Sequence, residues 1–344
     1  MRLLQSLVLM VVSLLVATIG AELFLRAAHL AQPGAGVTVT DADFQRLPGV
    51  LAPRRTVVDR RIQSLAHLVT TDSLGYRGSD FARAKPPGEY RVFLTGDSFT
   101  YGDFVDDSVT IPVLVDRALK GSCPAIRVIN GGLRGSSITE QDELARRALV
   151  LEPDLVLVMF YDNDIAALAS EPLWTQMAED RQWKSTFPMS VAYAILRDSH
   201  LWTLVRSARE ELKPAGRDPP TELSDVPHLA PERLRYVQLL AALRDSLAVR
   251  SVPLGFIVMP PYQVVAGSAS DAGIREVARG ARSARIPVLE LLDPFHESGV
   301  PVASLYHVPV DPHTSVAGNR VAAAAITAWL RHDPFTACPD DESH

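Results

Sequence analysis

Five short runs rich in branched apolar residues, Arg91–Thr95, Ile126–Ile129, Leu155–Tyr161, Leu254–Met259 and Ile286–Leu291, recur along the chain with longer stretches between them. Runs this short and this continuously apolar suit strands buried on both faces. The intervening windows near 109–120, 138–150, 231–250, 271–284 and 315–332 predict helices, the third opening on Pro231-Glu232. Such alternation predicts an α/β domain: a parallel sheet covered on both faces by helices, with right-handed crossovers.

Two segments break the rhythm. The stretch 165–230 holds three of the four Trp (Trp174, Trp183 and Trp202), a helical Val191–Leu204 segment and a polar Pro-rich loop at 214–231. An excursion this long is a lid, an inserted subdomain or plain packing at the surface. At the amino end, Leu3 to Ala21 is a run of nineteen residues without a charge, preceded by Arg2 and followed by Glu22 and Arg26. That is about the length of a helix spanning a hydrocarbon core. The run exceeds the ~7–15-residue core of a signal peptide and continues through Leu23, Phe24 and Leu25, which favours a retained anchor. The small residues of Ala17-Thr18-Ile19-Gly20-Ala21 keep a cleaved signal open as the alternative. Arg2 and Arg26 nearly balance the flanking charge, and the commoner arrangement for such a start puts the rest of the chain outside the cytoplasm, in a periplasm or at a cell surface. The expected layout is an anchor over 1–28, a tether over 29–71, a domain over 72–334 with its insertion at about 165–230, and a tail over 335–344.

Composition removes several classes of function. With 47% hydrophobic and 22% charged residues the chain is neither disordered nor polytopic. Thirty-four basic against forty acidic side chains give a net charge of −6, so nothing recommends a nucleic acid as partner. The nine His form no metal-binding spacing, and the Gly131/Gly132/Gly135 run lacks a dinucleotide fingerprint, so neither metal nor cofactor is implied. Cys123 and Cys338 match no metal spacing either, which leaves one long-range disulfide or two unrelated thiols.

In open α/β sheets reactive groups gather beyond the carboxyl ends of the strands. The first strand ends in Thr95-Gly96-Asp97-Ser98, a hydroxyl on a tight turn. The second ends in Asn130-Gly131-Gly132-Leu133-Arg134-Gly135, where backbone N–H groups can approach a ligand, and the third in Tyr161-Asp162-Asn163-Asp164, with a carboxamide donor. Val310-Asp311-Pro312-His313 directly precedes the last helix. Ester cleavage needs those parts: a nucleophile, a base, a carboxylate to hold the base, and donors for the developing oxyanion.

On these four blocks, in order and over roughly Asp72 to Leu330, the sequence resembles the SGNH (GDSL-type) hydrolases. The resemblance implies a flavodoxin-like three-layer α/β/α sandwich with strand order 2-1-3-4-5. It implies Ser98 as nucleophile, His313 as base and Asp311 as its partner, with an oxyanion hole from the N–H groups of Ser98 and Gly135 and the Asn163 amide. Phe99 stands where the family string has Leu. Tyr161 stands where the third block begins with Gly, and Asp311-Pro312-His313 is one residue shorter than the common last block, a spacing met in membrane-associated and polysaccharide-modifying branches. Asp293-Pro294-Phe295-His296 has the commoner spacing but follows the fifth strand instead of preceding the last helix. The implied strand order also lays the first and last helices side by side, which would allow a Cys123–Cys338 bridge. The function so implied is a membrane-anchored serine esterase acting through an acyl-Ser98 intermediate on an O-acylated carbohydrate or lipid. An O-acyltransferase of envelope polysaccharide and a weakly catalytic carbohydrate-binding or assembly protein are the alternatives.

Overall fold

The computed structural model describes residues 2–33, 46–121, 123, 125–211 and 227–332. A two-stranded antiparallel ribbon comes first, β1 (Thr56–Asp59) with β2 (His67–Thr70). The main sheet follows: β3 (Tyr90–Gly96), β4 (Ile126–Gly132), β5 (Leu155–Phe160), β6 (Leu254–Val258) and β7 (Val288–Glu290). Its strands are all parallel in the order β4-β3-β5-β6-β7, the 2-1-3-4-5 arrangement. Every residue of β5 and β6 is buried, as strands covered on both faces require.

Alternate side chains of each strand feed two apolar layers. On one face Phe93, Val156, Val158 and Phe256 pack with Leu144, Leu240, Leu243 and Val277 of the helices Ile138–Ala148, Ala230–Ala248 and Ala272–Ser283. On the other, Val92, Leu94, Leu157 and Ile257 pack with Ile111, Val115, Leu119, Ala322, Ile326 and Leu330 of the helices Ile111–Lys120 and Val316–Arg331. The first and last helices of the sheet domain thus share one face. Cys123 follows the first of them, and Cys338 lies outside the described residues, as does the tail at 335–344.

The tether expected over 29–71 needs correction from residue 46 onward. Val50, Leu51 and Val69 belong to the apolar layer, Gly49 and Leu51 donate backbone hydrogen bonds to Leu74 and Gly75, and Thr56 pairs with Thr70. Asp106 and Asp107 hold the ribbon to the loop after Ser98, accepting from the N–H groups of Leu68 and Thr70 at 2.7 Å each. The paired runs are four residues each, too short to show a period. The expected Val191–Leu204 helix is two helices, Met189–Leu196 and His200–Glu211, preceded in the insertion by Leu173–Ser185.

The helix Arg2–Ala27 is long and apolar enough to cross a membrane, and its most apolar part is exposed, while Leu25 near its end is buried. At its end Glu22 accepts from the N–H groups of His200 (3.0 Å) and Leu201 (2.8 Å) and from the Ser199 hydroxyl (2.9 Å). This carboxylate satisfies the start of the helix His200–Glu211, which is why the chain breaks there. Arg26 adds a bond to the Asp198 carbonyl at 2.9 Å.

Candidate active site

Gly96 ends β3 where no side chain fits: a Cβ there would lie 2.6 Å from the Met159 carbonyl and 2.2 Å from the Thr100 hydroxyl. The chain then turns, and Asp97 caps the short helix Ser98–Tyr101 by accepting the Phe99 N–H at 2.9 Å. That turn fixes Ser98 at the carboxyl edge of the sheet. Its Oγ lies 2.8 Å from His313 Nε2, across 215 residues of chain.

His313 Nδ1 lies 2.5 Å from Asp311 Oδ1, and the same carboxylate oxygen accepts the His313 N–H at 2.9 Å. The imidazole stacks on Phe99 at 4.6 Å between ring centres and meets the edge of Phe104 at 5.3 Å. Burial pushes the imidazole pKa down, but the hydrogen bond and charge of Asp311, with the charges of Asp103 and Asp97, outweigh it and hold it above the usual 6.5. A donor bond from Nδ1 to Asp311 leaves Nε2 free to accept the Ser98 proton.

The two other strand ends come to the same edge. Gly135 has φ +71, a left-handed conformation that favours glycine, and stands exposed at the end of the β4 loop. Asn163 opens the helix Asn163–Leu168, is exposed, and hydrogen-bonds the Asp97 carboxyl beside Ser98. Burial raises the Asp97 carboxyl to about 6. Asp164, buried beneath, is raised well above the carboxylate range by burial and the neighbouring Asp97. It accepts from Gln141 at 3.2 Å.

The structure therefore brings Ser98, His313, Asp311, Gly135 and Asn163 to one edge. His313 and not His296 is the imidazole hydrogen-bonded to Ser98; His296 Nε2 lies 3.1 Å from the Val265 carbonyl. Arg77 is buried with its Nε on Asp107 at 2.8 Å and its Nη atoms on the carbonyls of Leu68, Tyr101, Gly102 and Val105, a structural role.

Sequence reasoning missed the clamp on the Gly135 loop. Arg134 reaches Asp59 of β1 at 2.8 Å and pairs with Asp103, while its guanidinium lies 4.2 Å over the Tyr101 ring. Arg61 bonds the same two carboxylates, at 3.0 Å to Asp59 and 2.8 Å to Asp103. Burial alone would raise Asp103, yet Arg134 and Arg61 hold it down at about 2. An Arg directly before the proposed oxyanion glycine was the one local sign of this arrangement.

Beside the Gly135 loop opens a cavity of about 580 Å³, lined by Tyr101, Leu133 and Arg134 from the domain and by Leu173, Met177 and Tyr193 from the insertion. Its wall is anchored: the buried Glu140 carboxylate accepts the N–H groups of Ser137 (3.0 Å) and Leu173 (3.1 Å), and Trp174 donates to Glu143 at 2.7 Å.

No family model matches the chain, and no curated relative does. Solved structures similar to it include a lipase/acylhydrolase from Enterococcus faecalis, 14% identical over 74% of this chain and 100% of the other, with a TM-score of 0.43. A point mutant of an acetyl-xylooligosaccharide esterase from Geobacillus is 19% identical over 73% of this chain and 98% of the other, TM-score 0.42. A two-domain esterase active on acetylated mannans is 16% identical over 75% of this chain and 53% of the other, TM-score 0.44.

Proposed function

We propose that this chain is a membrane-anchored serine esterase of the SGNH type, with its catalytic domain outside the cytoplasm. The observation that carries the activity is the continuous line from Asp311 through His313 to the Ser98 hydroxyl, 2.5 and 2.8 Å per link. Ser98 Oγ attacks the ester carbonyl carbon while its proton passes to His313 Nε2. The oxyanion takes hydrogen bonds from the Ser98 and Gly135 N–H groups and the Asn163 amide. As the carbon–oxygen bond to the alcohol breaks, His313 returns the proton to the leaving oxygen, and an acyl-Ser98 remains. Water, deprotonated by His313, repeats the sequence and releases the acid.

The anchoring reading is supported by the exposed apolar helix Leu4–Ala27 and by the attachment of its end to the insertion through Glu22. The purified chain is expected to hydrolyse an aryl acetate, and Ser98→Ala to abolish that turnover while keeping the wild-type melting temperature. Equal rates for the two proteins would end the proposal.

A further inference from the structure

The helix Met189–Leu196 (MSVAYAIL) carries no charge and has no fully buried side chain, nor has Leu173–Ser185 before it, of which Leu173, Trp174 and Met177 pack half-buried against the apolar layer. Phe187 between them is 79% exposed, Ile195 65%, Trp183 55% and Val191 52%. A helix apolar on every side is at home in a core or a lipid phase, and contiguous exposed apolar surface of this kind marks an interaction site.

What covers this surface follows from its neighbour. Two residues after Leu196, Asp198 begins the segment that Arg26 and Glu22 bind, so the Leu196 end of the apolar helix lies within about 10 Å of chain from the contact with the helix Leu4–Ala27. If that helix spans a bilayer, Glu22 stands at the membrane surface, and the exposed apolar side chains stand at the level of the headgroups and upper acyl chains. Aromatic and aliphatic residues on a short helix suit that layer. The same two helices supply Leu173, Met177 and Tyr193 to the cavity beside Gly135, and Leu173–Ser185 adds the charged Asp180, Arg181 and Lys184 to its lining. With that helix in a bilayer, one face of the insertion would meet lipid while the other walls the cavity.

We propose that the insertion rests in the membrane interface and that the cavity receives the acyl chain of a membrane-resident ester passing directly from the bilayer toward Ser98. This deepens the esterase reading above and rests on it and on the span. It commits the substrate to the lipid phase, in preference to a soluble acylated sugar.

The test uses the full chain reconstituted in phosphatidylcholine vesicles. With acyl chains brominated near the glycerol, Trp emission is expected to fall, and Trp183→Phe to lessen that fall. In parallel, one phenol is supplied as a bilayer-dissolved oleate and as a water-soluble acetate. The Phe187→Glu/Val191→Glu/Ile195→Glu variant is expected to lose oleate turnover by about tenfold or more and to keep acetate turnover within about twofold. Absence of quenching in the wild type overturns the proposal, and so does an equal effect of the variant on both esters or a wild-type preference for an acetylated oligosaccharide over the vesicle ester. Quenching without turnover of either ester would instead sink the esterase reading and leave the membrane seat standing.

Discussion

Replacing Asp311 by Asn keeps the side-chain volume and one acceptor and removes the charge facing His313. In the wild type the two groups meet at 2.5 Å, each 17% exposed, so solvent screens them only in part. As Ser98 loses its proton an imidazolium forms beside the carboxylate. Opposite unit charges about 4 Å apart at an effective dielectric near 20 attract by about 4 kcal/mol. At about 1.4 kcal/mol per tenfold, that predicts a loss of roughly 10³ in kcat, and an Asn amide that turns its NH₂ toward Nδ1 would select the wrong tautomer and lose more. The variant also moves the acid limb of the pH–rate profile. Only the neutral imidazole is a base, so wild-type activity falls as pH drops through a pKa above 6.5. Without the bond and charge of Asp311, burial weighs more and the pKa falls, so the limb shifts to lower pH while the plateau drops. Initial rates on an aryl acetate from about pH 5 to pH 9 give both quantities. A plateau within about tenfold of the wild type, or an acid limb that stays in place, would refute the reasoning.

Three further outcomes follow from the same geometry. Asn163→Ala should lower kcat by about 10²–10³ with little change in KM if its amide acts on the oxyanion as proposed; a rise in KM at constant kcat would remove it from that role. His313→Ala should abolish turnover and His296→Ala should leave it within about threefold, and the reverse pattern would reassign the base. Arg134→Met should cost about 3–5 kcal/mol of stability at neutral pH, because it leaves Asp59 and Asp103 buried with Arg61 alone. Asp103 is held at about 2 against an ordinary 3.8, so its contribution is present above about pH 4 and is lost as pH falls toward 2. The deficit of the variant should therefore shrink on acidification, which thermal melts of the detergent-solubilised chain at several pH values will show.

The five strands were legible because each lies in a dense apolar run, and in β5 and β6 that run is buried on both faces; their order came from the family resemblance and not from the runs themselves. The three strand-end blocks were legible for the same reason, since once the strands are placed their carboxyl ends follow, while Asp311-Pro312-His313 was legible from its place directly before the last helix. The ribbon at Thr56–Thr70 leaves no sequence signal that sets it apart from a tether, because its strands are four residues long and its role depends on carboxylates at Asp106 and Asp107 far along the chain. The clamp of Arg134 on Asp59 joins residues 75 positions apart, and no local spacing encodes such a pair. The break between Leu196 and His200 has its cause in Glu22, some 178 residues earlier. What the local sequence hid was contact between distant segments.

The central claim is that Ser98 is the nucleophile, made reactive by His313. A fluorophosphonate reacts only with a serine so activated, and the digested adduct locates it. One phosphonyl group per chain is expected, on the peptide holding Ser98, formed more slowly as pH falls through the His313 pKa and absent in Ser98→Ala. An unlabelled wild-type chain, or an adduct on any other residue, would contradict it.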